Sequence, residues 1–522
     1  MLFCTVKKLS IRIIGIIKRK RGSEDDDIRL RWKREWFLWS GVSCFLWNIA
    51  LEFITKSGEN KIKKDGFMKK ALSLVLSAAL AAGVLSGCGL GTQSNTSGNN
   101  SGRKQGKTAE SNGSSSGGAA QADVGGTTSD GKYDLVFWVY SDAVLNDQGK
   151  LLNQWVKEYC EENPKVNSIT LVGKNDADLL TGLMAGVGLP DMFFASARNM
   201  RQYKEVIDIL DLTPVFDSEE GYKDGFYDTA IDAVSQDGGM WAIPFISHVP
   251  IIFRNTDVLE KAGIDWKNEQ LTSWDVFFDE CEKVKAAGID ATHSWAQGGY
   301  YCPGAVLASD AQNLTVGVEN GETTLKPEQT VRTFETIKKL ESYSNGMSYN
   351  DDAASEAFKS NELGFICVGP WNEPDYIQAG THYDVQLIPS YDENGWTGGL
   401  QGWDFMYGIN TGDEDRNEAI RGWLKKMGSY EVQQKFAQVI GRSMLREDVM
   451  DDPETQKTEM LAILAKGLKC GMNQMDFGHS SVFWTSAIGD VAPGVANGST
   501  TPEDGAQQFI DAINGLYAEA GE

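Results

Sequence analysis

The sequence predicts an α/β chain folded into two lobes, each a mostly parallel sheet flanked by helices, with hinge strands joining them. Three observations predict it. Residues 133–195 alternate strand-like and helix-like segments in the order β-α-β-α-β, and right-handed crossovers make such strands parallel, with their carboxyl ends on one edge. Residues 241–245 and 249–253 are apolar, β-prone runs carrying Pro244 and Pro250, which lack a ladder donor and so fit the margins of a sheet, as at a crossover. At 522 residues the chain is also too long for a single core.

In chain order, residues 1–67 read as discarded leader sequence ahead of a start at Met68. The alternative, a membrane helix over residues 36–54, would place Asn48 and Glu52 in lipid. Residues 68–87 read as an export signal. Met68, Lys69 and Lys70 form a basic start, and the apolar run that follows is too short to span a bilayer, which takes about 20 residues. Residues 88–131 are rich in Ser, Gly, Asn and Thr and cannot bury enough surface to fold, so they read as a flexible tether.

Residues 133–140 form a near-continuous apolar run, as in a strand covered on both faces. Leu151, Leu152, Trp155, Val156 and Tyr159 recur at helical spacing until Asn163 and Pro164 stop the helix. Residues 166–172 and 190–195 read as strands around a helix carrying Leu179, Leu180, Leu183 and Met184. Beyond the crossover, Trp274, Phe277, Phe278, Cys281 and Val284 share a helix face that Gly288 ends. Residues 364–368 read as a buried strand and 384–389 as a second hinge strand, with Gly398 and Gly399 beginning the return. Helices over 419–427 and 432–440 suggest a third crossing near Gly428. Lobe 1 is therefore expected over 132–246 and 388–428, and lobe 2 over 247–387 and 429–520.

The formal charge is -24, and residues 1–87 are net basic, so the remainder is more acidic still. Such a surface repels nucleic acid and anionic lipid and favours a neutral ligand. Cys160, Cys281, Cys302, Cys367 and Cys470 have no close spacing, which suits small buried hydrophobes better than a zinc site or a disulfide framework. His248, His293, His382 and His479 are not at ligand spacing. Gly-x-Ser-x-Gly occurs only as Gly113-Ser114-Ser115-Ser116-Gly117, inside the Ser- and Gly-rich tether and not between a strand and a helix, and no His-Glu-x-x-His or Walker loop occurs, so neither an enzyme nor a cofactor is expected.

The order Ala242-Ile243-Pro244-Phe245, Arg254-Asn255-Thr256-Asp257, Ala262-Gly263-Ile264-Asp265 and Thr272-Ser273-Trp274-Asp275 resembles the family 1 extracellular solute-binding proteins of sugar-importing ABC transporters. The likeness extends over residues 133–517 and is strongest to the maltodextrin- and oligosaccharide-binding members. It implies a type II periplasmic-binding-protein-like fold, and a monomer that captures a carbohydrate outside the cell and hands it to transmembrane permease subunits. Leu85-Ser86-Gly87-Cys88 resembles the bacterial lipobox, which implies a lipid on Cys88 and anchorage at the outer face of the cell membrane. Two alternatives share the superfamily: a glycan-active enzyme, and a ferric-ion-binding protein using the adjacent Tyr300 and Tyr301.

A sugar offers C–H faces to aromatic planes and hydroxyl rims to polar groups, and such groups belong at strand ends facing the crevice. The first strand ends in Trp138, Tyr140 and Asp142, of which Trp138 either lines the crevice or packs in the core. The resemblance implies sugar contacts at Arg198 and Asn199, and places His248 where maltodextrin-binding proteins carry a carboxylate. It further implies stacking tryptophans at Trp371, within Gly369-Pro370-Trp371, and at Trp484, with Trp403 and Asp404 approaching from lobe 1. Tyr300 and Tyr301, in a glycine-containing loop, are further candidates.

Overall fold

The computed structural model describes residues 125–310, 318–391, 395–473 and 481–520, apart from 298, 300, 320, 321 and 324. The expected leader, the export signal and Cys88 lie outside the described residues, as does most of the tether. The tether's last residues are structured: Gly126–Thr127 pairs antiparallel with Tyr133 and Asp134, and Arg416 donates to the Gly126 carbonyl.

Among the described residues, lobe 1 is built on an eight-stranded sheet. The apolar strand Tyr133–Tyr140 runs parallel to Val166–Lys174 on one side and to Met192–Ser196 on the other, so these three carboxyl ends meet at one edge. The strands that carry the chain between lobes are antiparallel additions. Leu400–Gly408 lies between Met192–Ser196 and Ile243–His248, and Ser443–Met444 extends the sheet beyond Ile243–His248.

Among the described residues, lobe 2 holds a six-stranded sheet. Asp290–Ser294 is parallel to both Ser344–Ser348 and Leu363–Val368, whereas Ile251–Asn255 pairs antiparallel with Leu363–Val368 and Tyr383–Pro389. Every residue of Leu363–Val368 is buried, which explains its unbroken apolar character. Helix Trp274–Ala286 starts where the Ser273 side chain accepts from the Val276 N–H, and it buries Trp274, Phe277, Phe278, Cys281 and Val284 as its period requires.

The crossings differ in part from the sequence expectation. Ile243–His248 ends in one sheet and Ile251–Asn255 opens in the other, so Val249 and Pro250 make the first crossing. The return comes later than residue 388, because Ile388 and Pro389 still pair with Thr397 and Trp396 in lobe 2. It falls at Gly398 and Gly399. Gly399 has φ +61, and a Cβ there would lie 2.3 Å from Pro250 Cγ, so the two linking segments touch through a residue without a side chain.

Gly428 is not a crossing. The next helix, Tyr430–Ile440, stays on lobe 1, where its apolar face brings Phe436 against Phe245 and Trp155, at ring distances of 5.0 and 6.4 Å. Met472–Asn473 still pairs with Leu400 and Gln401, so the third crossing follows Asn473. Lobe 2 is then completed by Ser481–Ala496 and Pro502–Ala520, with Phe509 meeting Phe334 of helix Pro327–Glu341.

Candidate functional site

A cavity of about 570 Å³ opens between the lobes. Its floor on lobe 1 is the shared strand edge: Tyr140, Lys174 and Ser196 are the last residues of the three parallel strands, and Arg198 stands in the turn Ala197–Asn199 that follows. His248 ends the first hinge strand, and Asp404 lies on the neighbouring Leu400–Gly408, where the register shifts between Asp404 and Phe405. Lobe 2 supplies Tyr301, Tyr349 and Trp371.

Asp404 joins the polar wall. One of its carboxylate oxygens lies 2.7 Å from His248 Nε2, and the other accepts from the Tyr140 hydroxyl at 3.4 Å. A carboxylate oxygen only accepts, so the first contact requires a proton on Nε2, and a neutral ring then presents Nδ1 as an acceptor. That Nδ1 is buried and has no hydrogen-bond partner among the described residues. Burial, reinforced by Asp404, pushes the Tyr140 phenol well above its ordinary range, so it remains a donor.

Trp371 carries the apolar wall. It sits in the turn Pro370–Asn372 directly after Leu363–Val368, and its indole folds back over Gly369, where a Cβ would lie 1.9 Å from the ring. Tyr301 lies 5.5 Å from it and 5.4 Å from Tyr349, and the His248 ring meets it edge-on at 5.7 Å from across the cleft. The Arg442 guanidinium, also from lobe 1, stands 5.9 Å from the indole centroid. Trp371 thus contacts lobe 1 directly.

Six of the twelve sequence candidates line this cavity together: Tyr140, Arg198, His248, Tyr301, Trp371 and Asp404. Trp138 does not. It shares a face with Tyr140 but lies one pleat deeper, where Gly182 leaves room for its ring and the Lys174 ammonium sits 4.1 Å above it. Trp403 is likewise in the core, since alternation turns it away from Asp404, and its indole N–H donates to Gln401. Asn199 is buried and donates to the Tyr203 hydroxyl below the floor. Asp142 falls in the turn Ser141–Val144 and Trp484 in helix Ser481–Ala496, but their side chains lie outside the described residues, as does Tyr300.

Sequence reasoning missed Lys174, Asp176, Tyr349 and Arg442. The strand-end rule covers the first two, because Lys174 ends the second parallel strand as Tyr140 ends the first, and Asp176 comes two residues later. Arg442 had no such signal. It enters only because helix Tyr430–Ile440 closes with Gly441 at φ +70 and turns the chain back toward the cleft. The place where the resemblance expected a carboxylate holds His248, and the carboxylate comes from the adjacent strand, where Gly402 is paired with His248 and Asp404 is two residues further on.

The geometry agrees with comparison to known proteins. The chain is 24% identical over 158 residues to the arabinooligosaccharide-binding protein of Bacillus subtilis, which covers 30% of this chain and 35% of that protein. It is 22% identical over 308 residues to the maltodextrin-binding protein MdxE of the same organism, covering 56% and 72%. The chain therefore spans about a third of the first relative and more than two thirds of the second. Among solved structures, the GacH receptor of Streptomyces glaucescens, studied unliganded and with acarbose, superposes with a TM-score of 0.62 at 19% identity, over 74% of this chain and 98% of that one. The family model described as bacterial extracellular solute-binding protein matches residues 154–463, more than half of the chain and all of the strand edge that floors the cleft except Tyr140. With its fold shared by a receptor of known structure and most of its cleft built from the matched segment, the chain belongs to the bacterial extracellular solute-binding proteins.

Proposed function

We propose that this chain captures a carbohydrate, an oligosaccharide, outside the cell and delivers it unaltered to the permease subunits of an ABC transporter. One observation carries the reading: the interlobe cavity sets the Trp371 indole, with Tyr301 and Tyr349, opposite the linked Tyr140, Asp404 and His248. An aromatic plane facing fixed donors and acceptors is what a sugar ring needs, and the volume falls within the roughly 300–1,000 Å³ of small-ligand sites. The oligosaccharide-binding relatives support the same class of ligand. The lipid at Cys88 and the monomeric state belong to this proposal, and a lipid there would hold the lobes at the outer membrane surface.

Closure follows by population shift. Contacts from both lobes to one ligand exist together only when the cleft is shut, so the ligand stabilises that form by the difference. A thermal-shift screen with oligosaccharides tests the proposal, since a ligand bound only by the folded chain raises the melting temperature by mass action. A sugar that stabilises the wild type but not Trp371→Ala supports it. Recovery of a cleaved sugar would favour the glycan-active enzyme instead, which needs two carboxylates flanking the bond; among the described residues the carboxylates lining the cavity are Asp176 and Asp404.

A further inference from the structure

Cys302 and Cys367 are 65 residues apart in sequence and meet in the core of lobe 2. Cys302 follows Tyr301 at the start of helix Tyr301–Leu307, and Cys367 lies in strand Leu363–Val368, which leads directly into the turn of Trp371. Both are fully buried. On the strand, Cys367 shares its face with Phe365, whereas Ile366 and Val368 turn to the opposite side, so alternation brings this sulfur toward Cys302. Both residues are thiols in this structure. The Cys302 thiol donates to the Cys367 carbonyl at 3.6 Å and lies within hydrogen-bond reach of the Cys367 thiol.

Disulfides form and persist outside the cell, where this family works. We infer that Cys302 and Cys367 close a disulfide in the exported protein, tying the helix that carries Tyr301 to the strand that positions Trp371. The reaction is thiol–disulfide exchange with an external disulfide. One cysteine thiolate attacks it and expels one of its sulfurs; the other thiolate then attacks the mixed disulfide and expels the second. One S–S bond is broken and one is formed, the two cysteine protons end on the released thiols, and the two electrons lost by the cysteines reduce the external disulfide. Burial pushes the Cys302 thiol well above its ordinary range, and the thiolate is the reactive form, so the bond is made before the core closes. Once made, it fixes the helix that holds the Tyr301 ring 5.5 Å from Trp371, and the link does not depend on what the cleft binds. Spacing along the chain, which suggested two small buried hydrophobes, hides the pair.

Mass spectrometry of the full chain tests the inference. Unfolded, reduced protein is refolded with oxidised and reduced glutathione, its remaining thiols are blocked by alkylation in denaturant, and it is digested without reductant. A peptide joining Cys302 to Cys367 should be found, and reduction should split it. The crosslink also removes freedom from the unfolded chain, so the oxidised wild type should melt about 5 °C or more above the same chain refolded in reductant, and Cys302→Ala should show no such difference. Recovery of Cys302 and Cys367 as separate alkylated peptides from the refolded chain, or of either joined to another cysteine, overturns the inference. The peptide map needs only the wild type, so it decides the matter even where the variant does not fold.

Discussion

Asp404 is held by a histidine from one strand and a tyrosine from another, and this arrangement makes a single carboxylate the centre of the polar wall. Replacing it with asparagine keeps the shape but removes the charge, so Asp404→Asn should weaken sugar binding by about 1.5–3 kcal/mol with little change in melting temperature, measured by calorimetry. A second carboxylate titrates away from the cleft. Glu280 is buried beside Arg254 at 3.4 Å, and burial pushes its carboxyl up to about 7 despite the guanidinium. Its contribution to stability is therefore present in full below its ordinary value of 4.5 and is lost as pH rises through about 7. Glu280→Gln should accordingly gain stability relative to wild type between pH 5 and 8, by something on the order of 1–3 kcal/mol, read from denaturant titrations at each pH. At this scale the sequence was only partly legible. Trp371 and Tyr140 were found because a motif and a strand end mark them, whereas Trp138 was picked from the same strand end and Trp403 from its place beside Asp404 after the Gly398-Gly399 return, and both proved to be core. Strand alternation and depth below the edge, not residue type, decide whether an indole reaches the cleft.

Among elements, the segments joining the lobes set what can move. Gly399 touches Pro250 where the first and second crossings pass, in a conformation that side chains rarely adopt. Gly399→Ala should destabilise the protein by about 1–3 kcal/mol and lower ligand affinity, because a side chain there would push the linking segments apart; thermal melts with and without ligand separate the two effects. Gly369→Ala acts on the site alone. Its Cβ would collide with the indole, so ligand binding should fall by at least about tenfold while the fold persists, as followed by tryptophan fluorescence and calorimetry. Elements with strong periodicity were legible from sequence, among them Tyr133–Tyr140, Trp274–Ala286 and Leu363–Val368. The later crossings were not. Helix Tyr430–Ile440 has an apolar face that could serve either lobe, and its place is fixed by Trp155 and Phe245, which are distant in sequence.

For the whole molecule, two sheets with interlaced chain segments bring strand ends from lobe 1 against a turn from lobe 2, and the cleft exists only through that pairing. Two lobes and a first crossing could be read from chain length and paired prolines, because both follow from general limits on cores and ladders. The most direct test of the central claim is a crystal structure of the full chain grown with the tightest-binding oligosaccharide of the screen. A closed cleft is expected, with a sugar ring stacked on Trp371 and a hydroxyl within hydrogen-bond distance of Asp404 or His248. A sugar bound elsewhere, or a closed cleft whose Trp371 makes no contact with it, would overturn carbohydrate capture at this cleft.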